Sequence, residues 1–522
     1  MPQGTSAPNL HRADVSKAAS RPLAHRSCRT LGQLRNDQNL SSSRTVIATT
    51  FRILFASGTL LWASSTLATP VTPRMSSADW DSEFSALLAG LSQNYANFED
   101  TVRIRKVDLA TSEARGRTAI RASNDDQARK EAFNQFIKTL GDPHLFIDWS
   151  QEDGRIGELA CPTSLASIGA RPGVGFDRLP DFLPLDSEDG RTFQAGLLRL
   201  NSSLRVGVIR ISLFMARAFS SACAAAVRDA GFRPDAPCSD SCIDQIEGRA
   251  GRILDDGLVS TVRELERAGA TELLIDVTHN DGGTDWSEVV ARVLAGSVRS
   301  ARIGMLKHPV WRQFLDERLS MLRNEVRKAR GQARVQYENA IEATKAARSS
   351  LDESCDLSGA WRLANANALP SCTTIVEGGV YATGAFNKDE EVPAQVVPEL
   401  YSPALYAPYP LHVTHLPLFV LIDGNTHSAA EQFAALLQDN GRATIIGSVS
   451  AGAGCGTFTT LGSSFKLPHS LAQVHVPDCV RFRADGSNER RGVVPDQVIP
   501  WGPSDSRYEI ANKIAVTMGQ RH

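Results

Sequence analysis

Ser428 is the residue best placed for chemistry. It follows the apolar run Leu418–Ile422 and the turn-forming stretch Asp423-Gly-Asn-Thr426, and it precedes Phe433, Leu436 and Leu437 at helical spacing. A serine on such a strand-to-helix turn sits beside helical N–H groups that lack partners, where the helix dipole favours negative charge. That environment suits a nucleophile whose reaction generates an oxyanion. The same residues also admit a structural reading, because Ser428-Ala-Ala-Glu431 spells a capping box.

Three further stretches can be set beside it. Asp276-Val-Thr-His-Asn-Asp-Gly-Gly283 reads as the end of a strand running into a glycine turn, where backbone N–H groups form an anion-binding hollow. Its spacing matches neither a nucleotide-binding nor a phosphate-binding loop. Leu140-Gly-Asp-Pro-His144-Leu places a histidine between a proline turn and a short strand. An imidazole there can act as a general base at neutral pH or serve only as a structural polar group. Asn488-Glu489-Arg-Arg-Gly-Val-Val-Pro-Asp496 offers Glu489 to orient a base or hydroxyl, or to make a surface ion pair with Arg490 or Arg491. Of the remaining histidines, His427 is a poor base candidate because neighbours on a tight turn point apart. His279 is either a substrate contact or a turn residue, and His412 and His415 read as surface residues.

These residues need a scaffold, and strand–helix alternation supplies one. Leu204–Phe214, Glu272–Val277, Leu418–Ile422 and Ala443–Ile446 read as strands, with helices over 253–268 and 286–294 and from Ser428 onward. Such repetition predicts an α/β core with a largely parallel sheet. Residues 69–147 predict a helical N-terminal domain ending in a strand at Leu145–Ile147. Residues 148–203, rich in Pro, Gly and Asp, predict an irregular connection, and 204–510 the core. A helical insertion at about 305–375 interrupts that core. Within it Leu322, Val326, Ala329, Ala333, Ala340, Ala343 and Ala347 keep a narrow alanine-rich seam, as in a long helix or a helical hairpin.

The composition, 42% hydrophobic and 22% charged over 522 residues, is that of a globular protein. Residues 1–52 hold eight Arg or Lys against two Asp, a local +6, so the formal charge of -2 leaves the remainder near -8. That balance excludes nucleic acid as the expected partner. The charge-free segment Ile53–Ala68 ends in small residues and is too short to span a bilayer, so residues 1–68 read as an export signal with a long n-region. A start codon placed too far upstream would explain that length, and a membrane anchor is the alternative. An exported, periplasmic or secreted chain keeps eight cysteines after Cys28 is removed, an even number that favours disulfides. Cys355–Cys372 and Cys455–Cys479 would close short loops, and no zinc pattern is present.

Four blocks together resemble the C-terminal processing (tail-specific) serine peptidases and their tricorn-core relatives. In order they are Leu140-Gly-Asp-Pro-His-Leu, the strand ending Asp276–Gly283, Ser428-Ala-Ala-Glu-Gln-Phe with Leu437–Gly447, and Gly492-Val-Val-Pro-Asp496. The resemblance implies a ClpP/crotonase-like α/β fold, a peptide or unfolded-protein substrate, and no metal or cofactor. It makes Ser428 the nucleophile and assigns the oxyanion to backbone N–H groups of Gly282, Gly283 and Ala429.

Two departures refine it. The tail-specific branch activates its serine with a lysine, and Ala453 occupies that position here. The tricorn-like branch uses a histidine before the central domain and a glutamate ahead of the closing block, and His144 and Glu489 fall at those places. The expected set is therefore Ser428, His144 as base and Glu489 as supporting acid. The 148–203 stretch is also too short for the PDZ-like domain common in the family. A non-catalytic peptide or apolar-ligand binder, and a hydrolase of small esters, are the alternatives; the oligomeric state is left open.

Overall fold

The computed structural model of the protein describes residues 75–150, 159–162, 170–185, 193–233, 238–296, 298, 301–353, 355–362, 372–377, 412–457 and 464–520. The segment read as an export signal lies outside them. Among the described residues, three α-helices come first: α1 (Ser77–Asn94), α2 (Leu109–Ala122) and α3 (Asp126–Thr139). Each is started by a side chain, Ser76, Asp108 and Asp125, that accepts a bond from the first turn. Their apolar stripes close on one another through Trp80, Phe84, Phe133 and Phe136. Trp361, Leu467 and Val474 complete that core, so distant parts of the chain share it with the N-terminal helices.

Strand β1 (Phe146–Asp148) follows at once and pairs antiparallel with β11 (Gln473–His475), which also pairs with β10 (Phe465–Lys466). Among the described residues, the main sheet has seven strands. They are β2 (Phe182–Pro184), β3 (Gln194–Arg199), β4 (Arg205–Arg210), β5 (Glu272–Asp276), β8 (Leu418–Ile422), β9 (Thr444–Gly447) and β13 (Gln497–Val498), in the order β13-β9-β8-β5-β4-β3-β2. The strands from β4 to β13 are parallel, and β3 and β2 add an antiparallel edge. The sheet therefore begins before residue 204, inside the stretch expected to be irregular. Gln194–Arg199 forms a strand because it gains a whole ladder of bonds from β4.

The continuous apolar run of β8 is explained by burial on both faces. Leu418, Val420 and Ile422 face α4 (Ser220–Ala230), α5 (Asp240–Arg267), α6 (Trp286–Ala295) and α9 (Ala429–Asp439), whereas Phe419 and Leu421 pack toward α10 (Arg507–Gly519). Helix α5 starts well before the expected Ile253, because Ser239 caps it and the Cys238–Cys242 disulfide staples its first turn. The insertion is a hairpin of α7 (Pro309–Val326) and α8 (Gly331–Ser350). Ala329, Ala340 and Ala347 are buried in its seam. It is carried by a small sheet of β12 (Cys479–Phe482), β6 (Arg302–Leu306) and β7 (Ile375–Glu377).

Four disulfides join Cys161–Cys223, Cys238–Cys242, Cys355–Cys372 and Cys455–Cys479. Among the described residues, no helix is long and apolar enough to cross a membrane.

Candidate active site

Ser428 sits at the carboxyl end of the sheet, where parallel strands leave a crevice for ligands. Its backbone has φ 52 and ψ -116, a left-handed conformation that a non-glycine residue seldom takes. The turn before it is tied down on several sides. Thr426 Oγ1 donates to the Val277 carbonyl, and the His427 amide donates to the Asn280 carbonyl. The Ser428 amide donates to Glu431 Oε2 at 2.9 Å, the Glu431 half of the capping box.

Glu431 does far more than cap. Its side chain is fully buried, and besides Ser428 it accepts from Ser450 Oγ and from the amides of Gly452, Ala453 and Gly454. One carboxylate thus joins the start of the Ser428 helix to the 450–454 loop. Ser450 Oγ also receives the Val493 amide, so the Gly492-Val-Val stretch is fastened to the same group. Asp496, at the end of that stretch, accepts from the Ile445 amide and Gln438, which fixes β9 and α9.

His144 reaches this assembly from the N-terminal region. Its amide donates to Asp142 Oδ1, and its Nδ1 lies 3.2 Å from the Ala453 carbonyl. A carbonyl can only accept, so Nδ1 carries the proton and Nε2 keeps a lone pair. The ring lies against Gly456, where a Cβ would come within 2.9 Å of Cδ2. Burial pushes the imidazole below its ordinary value, and Asp142 and the Ala453 carbonyl oppose that shift. Arg490, buried, locks the His144 turn in place: its guanidinium donates to the carbonyls of Leu140 and Gly141 and lies 3.4 Å from Asp142.

Glu489 corrects the expectation. It is 1% exposed, so the surface-pair reading fails, and its partner is Arg481 on β12 at 2.8 Å. The hydrogen bond that orients His144 comes from the Ala453 carbonyl and not from Glu489. Burial pushes the Glu489 carboxyl up to about 7, against the pull of Arg481.

The oxyanion side is also sharpened. Gly282 packs on Ser428 so closely that a Cβ would fall 2.7 Å from Ser428 Cβ, but its amide is donated to Asn280 Oδ1. At Gly283 a bridge to Phe214 uses the Gly282 carbonyl and the Thr284 amide, which leaves the Gly283 amide outside the ladder. Ala429 occupies the first helical position, where the N–H has no intrahelical partner. Of the three amides expected to face an oxyanion, the Gly282 amide is thus taken by Asn280. His279 is engaged with Asp423 through both its amide and Nε2, and His427 turns to Asn425 and Asp281. Both fasten turns at the rim. Among the described residues, no cluster of His, Cys, Asp or Glu could hold a metal ion.

Comparison with known proteins bears on the family and the fold. Residues 363–499 match the model of peptidase family S41, a span that includes Ser428 and Glu489 and leaves out His144 and Gly282–Gly283. A stretch of 89 residues is 37% identical to a protein of Chlamydia pneumoniae, covering 17% of this chain and 14% of that protein. Another of 91 residues is 33% identical to the carboxyl-terminal-processing protease of a Picosynechococcus species, covering 17% of this chain and 21% of the relative. The matches thus span a small part of either relative's length. The fold is similar over a longer range to mature CPAF, with a TM-score of 0.53 at 14% identity, covering 85% of this chain and 97% of that one. The structure of CPAF complexed with lactacystin gives a TM-score of 0.52 at 15% identity, covering 85% and 98%.

Proposed function

This chain carries a peptidase family S41 domain, and from that premise we propose that it is an exported serine peptidase of the tail-specific type working by a Ser–His mechanism. One observation carries the reading. The loop whose carbonyl orients His144 and the helix that begins at Ser428 are held by the same buried carboxylate, Glu431.

In this reading His144 Nε2 removes the Ser428 proton while Nδ1 donates to the Ala453 carbonyl, and Ser428 Oγ attacks a peptide carbonyl. The Gly283 and Ala429 amides receive the developing oxyanion. Collapse of the tetrahedral intermediate sends the His144 proton to the leaving amine, and water then hydrolyses the acyl-enzyme by the same route. An alanine where a Ser–Lys enzyme has its base is accounted for, because Ala453 serves through its backbone. Glu489 acts at one remove by holding Arg481. The substrate is a peptide or an unfolded protein segment. Four disulfides and the segment 1–68 support export to an oxidising compartment.

The test is labelling by a fluorophosphonate probe under oxidising conditions. Wild type is expected to label, and Ser428→Ala and His144→Ala to lose labelling by roughly a hundredfold or more. An unlabelled wild type would favour a non-catalytic binder. A His144→Ala variant that labels as fast as wild type would remove the histidine from the mechanism.

A further inference from the structure

The Cys455–Cys479 disulfide joins the glycine-rich loop to the first residue of β12. On the loop side, Ala453 lies two residues before Cys455 and gives its carbonyl to His144. Gly454, just before the cysteine, donates to Glu431, and Gly456, just after it, lies against the His144 ring. On the strand side, Cys479 and Arg481 alternate onto one face of β12, and Arg481 holds Glu489. The neighbouring Asp478 amide donates to the Gly456 carbonyl and the Cys479 sulfur approaches the same oxygen.

The loop is costly to order. It has glycine at 452, 454 and 456, the first two with φ of 73 and 63, and glycine loses more conformational freedom on ordering than any other residue. Glu431 anchors residues 450–454, and the C-terminal half is held by the disulfide together with the Asp478–Gly456 hydrogen bond. Both cysteines are buried, and the other three disulfides share no residue with this loop.

We propose that Cys455–Cys479 is a positioning element for the general base: it fixes Ala453 and Gly456 against His144, so that the disulfide form is active and the dithiol form is not. The inference rests on the Ser–His reading above. Forming the bond removes two electrons and two protons from the cysteine pair, and an incoming disulfide accepts them and leaves as two thiols. Proteolysis is then confined to an oxidising compartment.

Labelling of Ser428 by the fluorophosphonate probe, followed from about pH 5 to 9, tests it. Cys455→Ser/Cys479→Ser is expected to label roughly tenfold or more slowly with an altered pH profile, while Cys355→Ser/Cys372→Ser stays within about twofold of wild type. In a second measurement that needs no variant, wild type is reduced in steps with a phosphine, alkylated and labelled. Mass spectrometry is expected to find the probe missing from molecules alkylated at Cys455 and Cys479. Equal labelling of those molecules, or a folded double variant with the wild-type rate and pH profile, overturns the proposal. A wild type that never labels, or a Ser428→Ala variant that does, overturns the Ser–His reading instead.

Discussion

Ser428 and His144 are held by different kinds of group. Ser428 is fixed by its strained φ and by its amide bond to Glu431; His144 is fixed by the Ala453 carbonyl and the packing of Gly456. The consequence for pH follows from burial. Because burial lowers the His144 value, with Asp142 opposing, the imidazole stays neutral to a lower pH than a free histidine does. The acid limb of the labelling rate is therefore expected below the usual ~6.5. A rate–pH profile with its limb at or above that value would contradict the assigned environment. In the sequence, Ser428 and His144 could be named from their turns and block order. Glu431 could be read only as a cap, because its loop partners lie about twenty residues away along the chain.

At the scale of elements, the site is a junction of three loops: 140–144 after α3, 450–456 after β9, and 489–493 before β13. Arg490 is the pin between the first and third, with contacts to Leu140, Gly141, Thr101, Asp100 and Asp142. Replacing it by methionine keeps much of the volume but leaves Asp142 buried beside no cation. Arg490→Met is expected to lower stability by about 3 kcal/mol, as breaking a buried pair does, and to slow labelling by loosening the His144 turn. Urea unfolding together with labelling kinetics checks both; a variant as stable and as fast as wild type would discard the pin. The elements themselves were legible where periodicity was strong, as in α1, α3, β8 and the seam of the α7–α8 hairpin. The start of α5 and strands β2 and β3 were not. A cap with an added disulfide decided the first, and pairing to β4 decided the others.

Over the whole molecule, two buried carboxyls couple stability to pH. Burial pushes Asp255 and Glu489 to about 7 from ordinary values of 3.8 and 4.5. Both folded values are raised, so the stability they contribute is fully present below the unfolded values and is lost as pH rises through about 7. The urea midpoint is expected to fall between about pH 4 and 7 and to level off above that. Asp255→Asn, which keeps an acceptor for Trp286 Nε1 in place of Oδ1, is expected to flatten that slope. An unchanged slope would mean that Asp255 is ionised in the folded protein. By itself the sequence determined the α/β class, the serine on its strand-to-helix turn, and the absence of a lysine at Ala453. Those follow from local periodicity, turn chemistry and the order of short blocks. Tertiary structure decided the contacts around those residues. A backbone carbonyl orients His144, Arg481 takes Glu489, Asn280 takes the Gly282 amide, and Glu431 gathers the loop. Each of these is a contact between segments far apart in the chain or a choice among competing partners, and neither is written in residue spacing.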